Sequence, residues 1–312
     1  MIRYSANITI MMSAARKASK SILRDFGELE KLQVSIKGQN DFVTMADIKA
    51  QEIIHYELSR ARDNYGFLME ESKNRNKLED NEFTWIIDPI DGTLNFMNGI
   101  PYFAISIALT QKDKLISGVV YDPVHNDFYW AEDGVGAYLN DQRLRVTNKA
   151  SLDKSIIALG IPFLGRGNHK EHIKSQEAVM SKVAGLRRFG AASLDLAYVA
   201  AGRVDGFWEY GLSPWDVAAG IIIVKEAGGI VNSIDLSKND NIKIRAGTGL
   251  QAVLQSTINF PQAFTELAKN SLQNGATVCN IDIADDMIKV LDNGNGFDHM
   301  KAEDSDMSDF EK

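Results

Sequence analysis

Two aspartates spaced three residues apart, Asp88 and Asp91, point most directly to chemistry in this 312-residue chain. They follow a short apolar run, 83–87, which predicts a buried strand that delivers both carboxylates at its C-terminal end. Gly92 allows the backbone to approach an anion closely. If Thr93 begins a helix, nearby amides point at a phosphate. Because carboxylate oxygens suit Mg²⁺, the pattern indicates a site for metal and phosphate together.

Each part of this pattern also has a structural interpretation. Asp-Pro and Asp-Gly, which occur at 88–89 and 91–92, are common turn dipeptides and by themselves are more often structural than catalytic. Further along the chain, Asp47 and Asp216 each stand where a helix-capping acid would stand, and Glu70 could be a solvated loop acid. Taken together, these acids supply the number of carboxylates that a site for two or three ions needs.

Four blocks of sequence, in the same order, resemble the inositol monophosphatase family. They are 41–47 (Asp-Phe-Val-Thr-Met-Ala-Asp), 70–72 (Glu-Glu-Ser), 85–96 (Trp-Ile-Ile-Asp-Pro-Ile-Asp-Gly-Thr-Leu-Asn-Phe) and 214–220 (Pro-Trp-Asp-Val-Ala-Ala-Gly), the last followed by Glu-Ala-Gly-Gly at 226–229. The similarity spans roughly residues 5–270, and the stretch 190–210 resembles the bacterial members most.

The resemblance implies a layered α-β-α-β-α sandwich, an α/β fold of the inositol monophosphatase and fructose-1,6-bisphosphatase type. It also implies Mg²⁺-dependent hydrolysis of a phosphate monoester, with inositol 1-phosphate as the first expectation, and inhibition by Li⁺. Two or three Mg²⁺ ions are expected, with Asp88 bridging two of them. The implied ligands are Glu70, Asp88, the carbonyl of Ile90, Asp91 and Asp216.

The same resemblance assigns catalytic and substrate-binding roles. Thr93, oriented by Asp47, would position or help to deprotonate the attacking water, and Glu70 completes the expected catalytic set. Metal-bound water is already acidified, so no histidine base is required. The implied substrate contacts are Ile90, Asp91, Gly92, Thr93, Gly190, Ala191, Ala192, Glu209 and Asp216.

The chain departs from the family pattern at two places. Ala191 stands where the family often has Ser or Thr, which removes one possible hydroxyl contact to the substrate. The second departure is the C-terminal stretch.

We expect residues 1–270 to form a single catalytic domain, with an α+β half to about 150 and an α/β half from about 151. Residues 271–312 have no counterpart in the typical family chain, and their acidic, polar end predicts a disordered tail.

The elements that must position the site can be read from periodicity. Residues 5–28 predict an amphipathic helix, and a second helix is expected from 44 to about 62. The stretch 103–146 predicts antiparallel strands with hairpin turns near 112–113, 125–126 and 140–141. Beyond 155, helices and strands alternate, with a helix over 193–201 and another opened by Ser213 and Pro214.

Composition narrows the classes of function. The net charge of −8 disfavours broad binding to nucleic acid. With one cysteine the chain forms no internal disulfide, and the sequence shows neither a signal peptide pattern nor a stretch long enough to span a bilayer, so a cytoplasmic enzyme without membrane contact is expected.

Two alternatives stay open at the level of sequence. Other family substrates, such as a different sugar phosphate, histidinol phosphate or adenosine 3′,5′-bisphosphate, would use similar carboxylates. A non-catalytic contact with the transcription machinery is the second, because bacterial relatives are associated with it and Arg187-Arg188 offers a basic pair that could meet a partner or a second subunit. A homodimer is expected by resemblance.

Overall fold

The N-terminal layer consists of two packed helices, α1 (Ala6–Phe26) and α2 (Met45–Ala61). α1 begins after Ser5, whose hydroxyl accepts a bond of 3.2 Å from the amide of Ile8 and so caps the helix. The predicted apolar stripe is buried along its whole length: Met11, Ala15, Ala18 and Ile22. The helical period read from the sequence is therefore confirmed.

The computed structural model describes residues 4–28, 34–37, 41–72, 82–112, 114–149, 151–162, 169–233, 242–245, 279–284 and 287–292. The chain forms two units, residues 1–253 and 254–312. The first unit carries all of the elements that supply the predicted site residues.

The larger sheet has seven strands in the order β3-β4-β5-β6-β7-β8-β9, and only the β3–β4 pair is parallel. The strands are β3 (Gly66–Met69), β4 (Phe83–Asp91), β5 (Ala104–Gln111), β6 (Lys114–Asp122), β7 (Asp127–Glu132), β8 (Gly136–Leu139) and β9 (Gln142–Arg143). A separate antiparallel pair, β1 (Val34–Lys37) and β2 (Asp41–Thr44), precedes α2.

The three predicted hairpin turns are present in this sheet. Lys112, Asn126 and Asn140 have φ values of 53°, 57° and 51°, in the left-handed region that tight turns use. Asparagine tolerates this region better than most residues, and two of the three positions carry it. The turns therefore come from local chemistry that the sequence displays.

The second half alternates helices and strands. A five-stranded sheet runs in the order β11-β10-β12-β14-β13, mixing parallel and antiparallel pairs. Its strands are β10 (Ile156–Leu159), β11 (Gly185–Arg187), β12 (Gly206–Trp208), β13 (Ile230–Ser233) and β14 (Ile242–Arg245). The helices are α3 (Thr93–Met97), in the first half, and α4 (His169–Met180), α5 (Ala192–Ala200) and α6 (Pro214–Glu226).

The seven-stranded sheet separates two apolar cores. Trp85 and Ile87 face the core built with α1 and α2, whereas Ile86, on the opposite face of the same strand, joins the core built with α5 and α6. A strand covered by helices on both faces reads as a continuous apolar run, as 83–87 does. The helix pairs and the two sheets form the layered α-β-α-β-α arrangement that was predicted.

Strand β4 is longer than the sequence predicts. Its ladder with β5 continues past Ile87, pairing Asp88 with Ser106 and Asp91 with Ala104, and the register shifts between these pairs. Two residues lie between Asp88 and Asp91 but only one lies opposite, so the strand bulges there. Because Pro89 lacks an N–H, the bulge removes a ladder bond that proline could not make.

The second unit contains one described feature, an antiparallel hairpin of β15 (Cys279–Ala284) and β16 (Met287–Asp292). It lies within the stretch 271–312 for which a disordered tail is expected. The remaining residues of that stretch lie outside the described part of the chain. The expected tail and the expected domain limit at 270 stay predictions.

Candidate active site

The end of β4 is organised by its own side chains. Asp88 is 2% exposed, and its Oδ1 accepts a 3.0 Å bond from the amide of Ile90 across the bulge. Gly92 then takes a φ of 89°, which turns the chain into α3. The hydroxyl of Thr93 donates to the carbonyl of Ile90 at 2.9 Å. This hydroxyl therefore keeps its oxygen lone pairs available to accept a proton.

Asp91 is bound by the N-terminus of α5, about one hundred residues away in sequence. Its Oδ1 accepts a 3.2 Å bond from the amide of Ala192. Its Oδ2 accepts from the amide of Ser193 at 2.7 Å and from the hydroxyl of Ser193 at 2.5 Å. A helix N-terminus favours a carboxylate, so α5 holds Asp91 in one orientation.

The turn at Gly92 lies directly against the turn at Gly190. A Cβ added to Gly92 would meet the Cβ of Ala191 at 3.0 Å and the carbonyl of Tyr102 at 3.1 Å. The buried amide of Asn95 spans the same junction, donating to the carbonyls of Tyr102 and Phe189 at 2.8 Å each. Two of the predicted substrate-binding segments are thereby brought together.

The predicted metal ligands are close enough to perturb one another. Burial raises the pKa of Asp88 well above its usual range, and the charges of four neighbouring acids add to this effect: Glu70, Asp91, Asp216 and Asp47. The pKa of Asp216 is likewise raised well above its usual range, first by burial and then by Glu70 and Asp91. The structure therefore brings the other four predicted acids near Asp88.

The pKa of Asp91 is raised less than the pKa values of Asp88 and Asp216. Burial raises its pKa to about 6, and the bonds from Ser193, Ala192 and Leu194 oppose the rise. Hydrogen bonds to the ionised form favour that form, which explains why α5 limits the shift.

The other acids are supported by secondary structure. Asp47 lies in the first turn of α2 and is 2% exposed. Glu70 follows β3, and its amide donates to the carbonyl of Ile87 at 3.2 Å, beside Asp88. Asp216 lies in the first turn of α6 and accepts a 2.7 Å bond from the amide of Ser213. The capping role and the site position thus coincide at Asp216.

Glu209 and Arg188 form the polar side of the site next to Asp91. Burial and the charge of Asp91 raise the pKa of Glu209, Arg188 opposes both, and the result is a pKa of about 8. Gly160 provides the space for this carboxyl, because a Cβ there would lie 1.8 Å from the Glu209 Cδ. Arg188 also approaches Gly190, whose added Cβ would meet its Nη1 at 3.0 Å.

The two arginines of the basic pair differ in their contacts. Arg188 lies near Gly190 and Glu209, whereas Arg187 donates to the backbone carbonyl of Leu186 at 2.8 Å. Both arginines are exposed, so the pair considered as a partner surface presents its charge to solvent.

The donor set fits a hard divalent cation. The acids around Asp88 offer carboxylate oxygens, which Mg²⁺ prefers. A bound cation would offset both the burial and the mutual repulsion that raise the pKa of Asp88. Within the described residues, no three His, Cys, Asp or Glu side chains close around one point.

Three contributors to the site were not identified from the sequence. Ser193 contacts Asp91, Asn95 holds the two turns together, and Tyr102 donates to the buried carboxyl of Asp195 at 2.8 Å. Asn95 lies inside the block 85–96 and could have been singled out there. The partners of Ser193 and Tyr102 lie about a hundred residues away in sequence, so no local pattern reveals them.

No helix in the described residues is long and apolar enough to cross a membrane.

Comparison with known proteins agrees with the geometry. Residues 4–265 match the model of the inositol monophosphatase family. An inositol-1-monophosphatase of Mesorhizobium japonicum is 49% identical over 260 residues, which is 82% of this chain and 97% of that protein. The Nus factor SuhB of Vibrio cholerae is 40% identical over 252 residues, covering 80% of this chain and 94% of that protein.

Solved structures include a near relative. The crystal structure of the extragenic suppressor protein SuhB from Bartonella henselae superimposes with a TM-score of 0.76 at 44% identity. The match covers 82% of this chain and 100% of that one. Proteins of similar sequence thus include one named as an enzyme, inositol-1-monophosphatase, and one named as a Nus factor.

Proposed function

Because this chain belongs to the inositol monophosphatase family, we propose that it is a Mg²⁺-dependent phosphatase that hydrolyses the phosphate monoester of a small polyol, with inositol 1-phosphate as the leading substrate. The convergence of Glu70, Asp91, Asp216 and Asp47 on Asp88 carries this proposal. Buried acids that raise one another's pKa form a site for a cation, and the family match supplies the reaction.

The proposed metal ligands are Glu70, Asp88, Asp91, Asp216 and the carbonyl of Ile90. When bound there, two or three Mg²⁺ ions would supply the positive charge that acidifies a water molecule and neutralises charge developing on the phosphate. Asp91 is held for this role by α5, and Asp216 by the first turn of α6.

Thr93 is proposed to orient the attacking water. Its proton is engaged by the carbonyl of Ile90, so its oxygen can accept a hydrogen bond from water without a competing donor role. Asp47 and Glu70 complete the proposed catalytic set, with Asp47 buried at the start of α2.

Phosphate and polyol would meet different parts of the same cleft. The backbone at Gly92 and Thr93 turns sharply enough to present amides to a phosphate. The polyol hydroxyls would meet Glu209 and the turn at 190–192, because a carboxyl group accepts hydroxyl protons and, when protonated, also donates one. Ala191 contributes no hydroxyl, so the backbone of this turn would make the contact.

A phosphate-release panel with Mg²⁺ tests the substrate. Inositol 1-phosphate should be hydrolysed with a higher kcat/KM than fructose 1,6-bisphosphate, histidinol phosphate or adenosine 3′,5′-bisphosphate, and Li⁺ at millimolar concentration should inhibit. Preference for a nucleotide or bisphosphate would redirect the assignment to another substrate of the family.

A contact with the transcription machinery is the second candidate, supported by relatives named Nus factor SuhB and by exposed Arg187. The substitution Asp91→Asn separates the two functions, because it removes a proposed metal ligand that lies inside the site. A cellular phenotype that survives this substitution favours the binding role. A homodimer, proposed from the family, is tested by sedimentation of the wild type and of Arg187→Ala.

A further inference from the structure

The Asp91 carboxylate is held by the first turn of α5. Ala192 and Ser193 contribute backbone amides, and Ser193 adds its hydroxyl at 2.5 Å from Oδ2. The amide of Leu194 also favours the ionised form of Asp91. These donors hold the carboxylate in one orientation.

The hydroxyl is the part of this arrangement that depends on the side chain. Any residue other than proline supplies an amide at 192 or 193, whereas the hydroxyl donor needs Ser193. Short O–H···O⁻ bonds are among the stronger hydrogen bonds in proteins. Ser193 is completely buried, so water cannot replace the hydroxyl if it is removed.

The position of this hydroxyl complements the departure at Ala191. The side chain of Ala191 is buried against Gly92 and carries no polar atom toward the substrate. Two residues later, the first turn of α5 directs a hydroxyl at Asp91 instead. In this chain the polar side chain of the turn therefore binds Asp91.

We propose that Ser193 is a positioning residue that orients Asp91 for binding of the divalent cation. The inference rests on the proposed function, because it assumes that Asp91 is a metal ligand. Ser193 itself touches neither ion nor substrate. It links the second half of the molecule to the acids at the end of β4, since α5 begins at Ala192.

The test compares Ser193→Ala with Ser21→Ala, a matched control. Ser21 is also a buried helical serine, but its hydroxyl donates to the carbonyl of Ala18 within α1 at 2.9 Å. For each protein, the Mg²⁺ concentration that gives half of the Mg²⁺-induced rise in Tm is measured, together with the Mg²⁺ concentration that gives half-maximal phosphatase activity.

Ser193→Ala should raise both Mg²⁺ concentrations by roughly tenfold, the lower end of the effect of removing a residue that orients a metal ligand. Ser21→Ala should lower the Tm without Mg²⁺ and leave both concentrations unchanged. A purely structural role for Ser193 would reproduce the control. If the alanine variant does not fold, Ser193→Cys keeps the volume with a weaker donor and should show the same direction.

The outcomes distinguish this inference from the proposed function. Equal Mg²⁺ requirements in the wild type and in both Ser193 variants would overturn the inference, even if the wild type is an active phosphatase. A wild type that binds Mg²⁺ more tightly than Ser193→Ala but hydrolyses no monoester would overturn the proposed function and leave the inference standing. A wild type whose Tm does not respond to Mg²⁺ would overturn the inference.

Discussion

At the scale of single residues, the site is a set of acids held at a cost to the metal-free fold. Asp88 is almost fully buried, and four other acids raise its pKa further. The bond that it accepts from the amide of Ile90 offsets only part of the cost of burial and repulsion. Stability and function are therefore expected to oppose each other at this residue.

Asp88→Asn tests that opposition. The amide oxygen can still accept from Ile90, while the buried charge is removed, so the metal-free protein should gain about 1 kcal/mol in free energy of unfolding. Phosphatase activity should fall by roughly a thousandfold or more, as for a group that acts on developing charge. Denaturant unfolding in EDTA and initial-rate kinetics measure the two effects.

Asp122→Asn is the matched control. Asp122 is also buried in the seven-stranded sheet, but it accepts from the amides of Val124 and His125 and contacts the His125 ring. Its substitution should lower stability. A loss of stability of the same size in Asp88→Asn would contradict the picture of a strained acid cluster.

The raised pKa of Glu209 predicts how the stability of the metal-free protein depends on pH. Its pKa is raised from 4.5 to about 8 in the folded protein, so folding favours the protonated form. The stabilisation is complete below about pH 4 and is lost as the pH rises through about 8. Metal-free wild type should therefore lose stability between these limits.

Glu209→Gln should reduce the slope of unfolding free energy against pH between about 5 and 8, because glutamine does not titrate. Urea unfolding at several pH values in EDTA measures the slope. An unchanged slope in this variant would show that Glu209 titrates normally in the folded protein.

At the scale of elements, the site depends on a junction between α3 and the segment that leads into α5. Asn95 lies in α3 and donates to two backbone carbonyls, that of Tyr102 and that of Phe189 before the Gly190 turn. α3 is only five residues long and gains little stability from its own hydrogen bonds. The side chain of Asn95 is what ties this short helix to the opposite turn.

Asn95→Ala should therefore destabilise the protein by about 2–3 kcal/mol, since it removes the donor from two partly buried backbone carbonyls. Activity should fall with it, because the Gly92 and Gly190 turns would separate. Asn98→Ala is the control on the same helix, where an exposed amide donates to Leu94 at 2.7 Å. That change should stay within about 0.5 kcal/mol of the wild type in a thermal or urea unfolding experiment.

At the scale of the whole molecule, both halves contribute to one site. The first half supplies β4 with Asp88 and Asp91, and the second supplies α5 and Asp216 on α6. The family match ends at residue 265, so the expected catalytic unit does not need the hairpin at 279–292.

Truncation after residue 270 should leave kcat/KM within about twofold of the full chain, because it removes none of the site residues. Truncation after residue 225 should abolish folding, because it cuts α6 and removes two strands of the second sheet. Activity assays and circular dichroism of the two truncated chains measure this. A large loss in the longer fragment would assign a role in catalysis or stability to the C-terminal unit.

Local physics made several features predictable. The burial of α1 follows from its helical spacing, the hairpin turns from residues that accept positive φ, and the start of α6 from Ser213 and Pro214. The layered fold and the family followed from blocks that stand in the right order. For the helix burial, the turns and the helix start, the determining interactions lie within a few residues of one another in sequence.

Only the tertiary structure decided how the acids act together. The extension of β4 to Asp91 depends on pairing with β5, and the orientation of Asp91 depends on α5. The raised pKa of Asp88 requires burial beneath elements from both halves, which no local pattern encodes. The sequence by itself determined which residue types are present and which elements carry them. Their contacts and energies arise from packing between residues that are distant in the chain, and for that reason they became visible only in the fold.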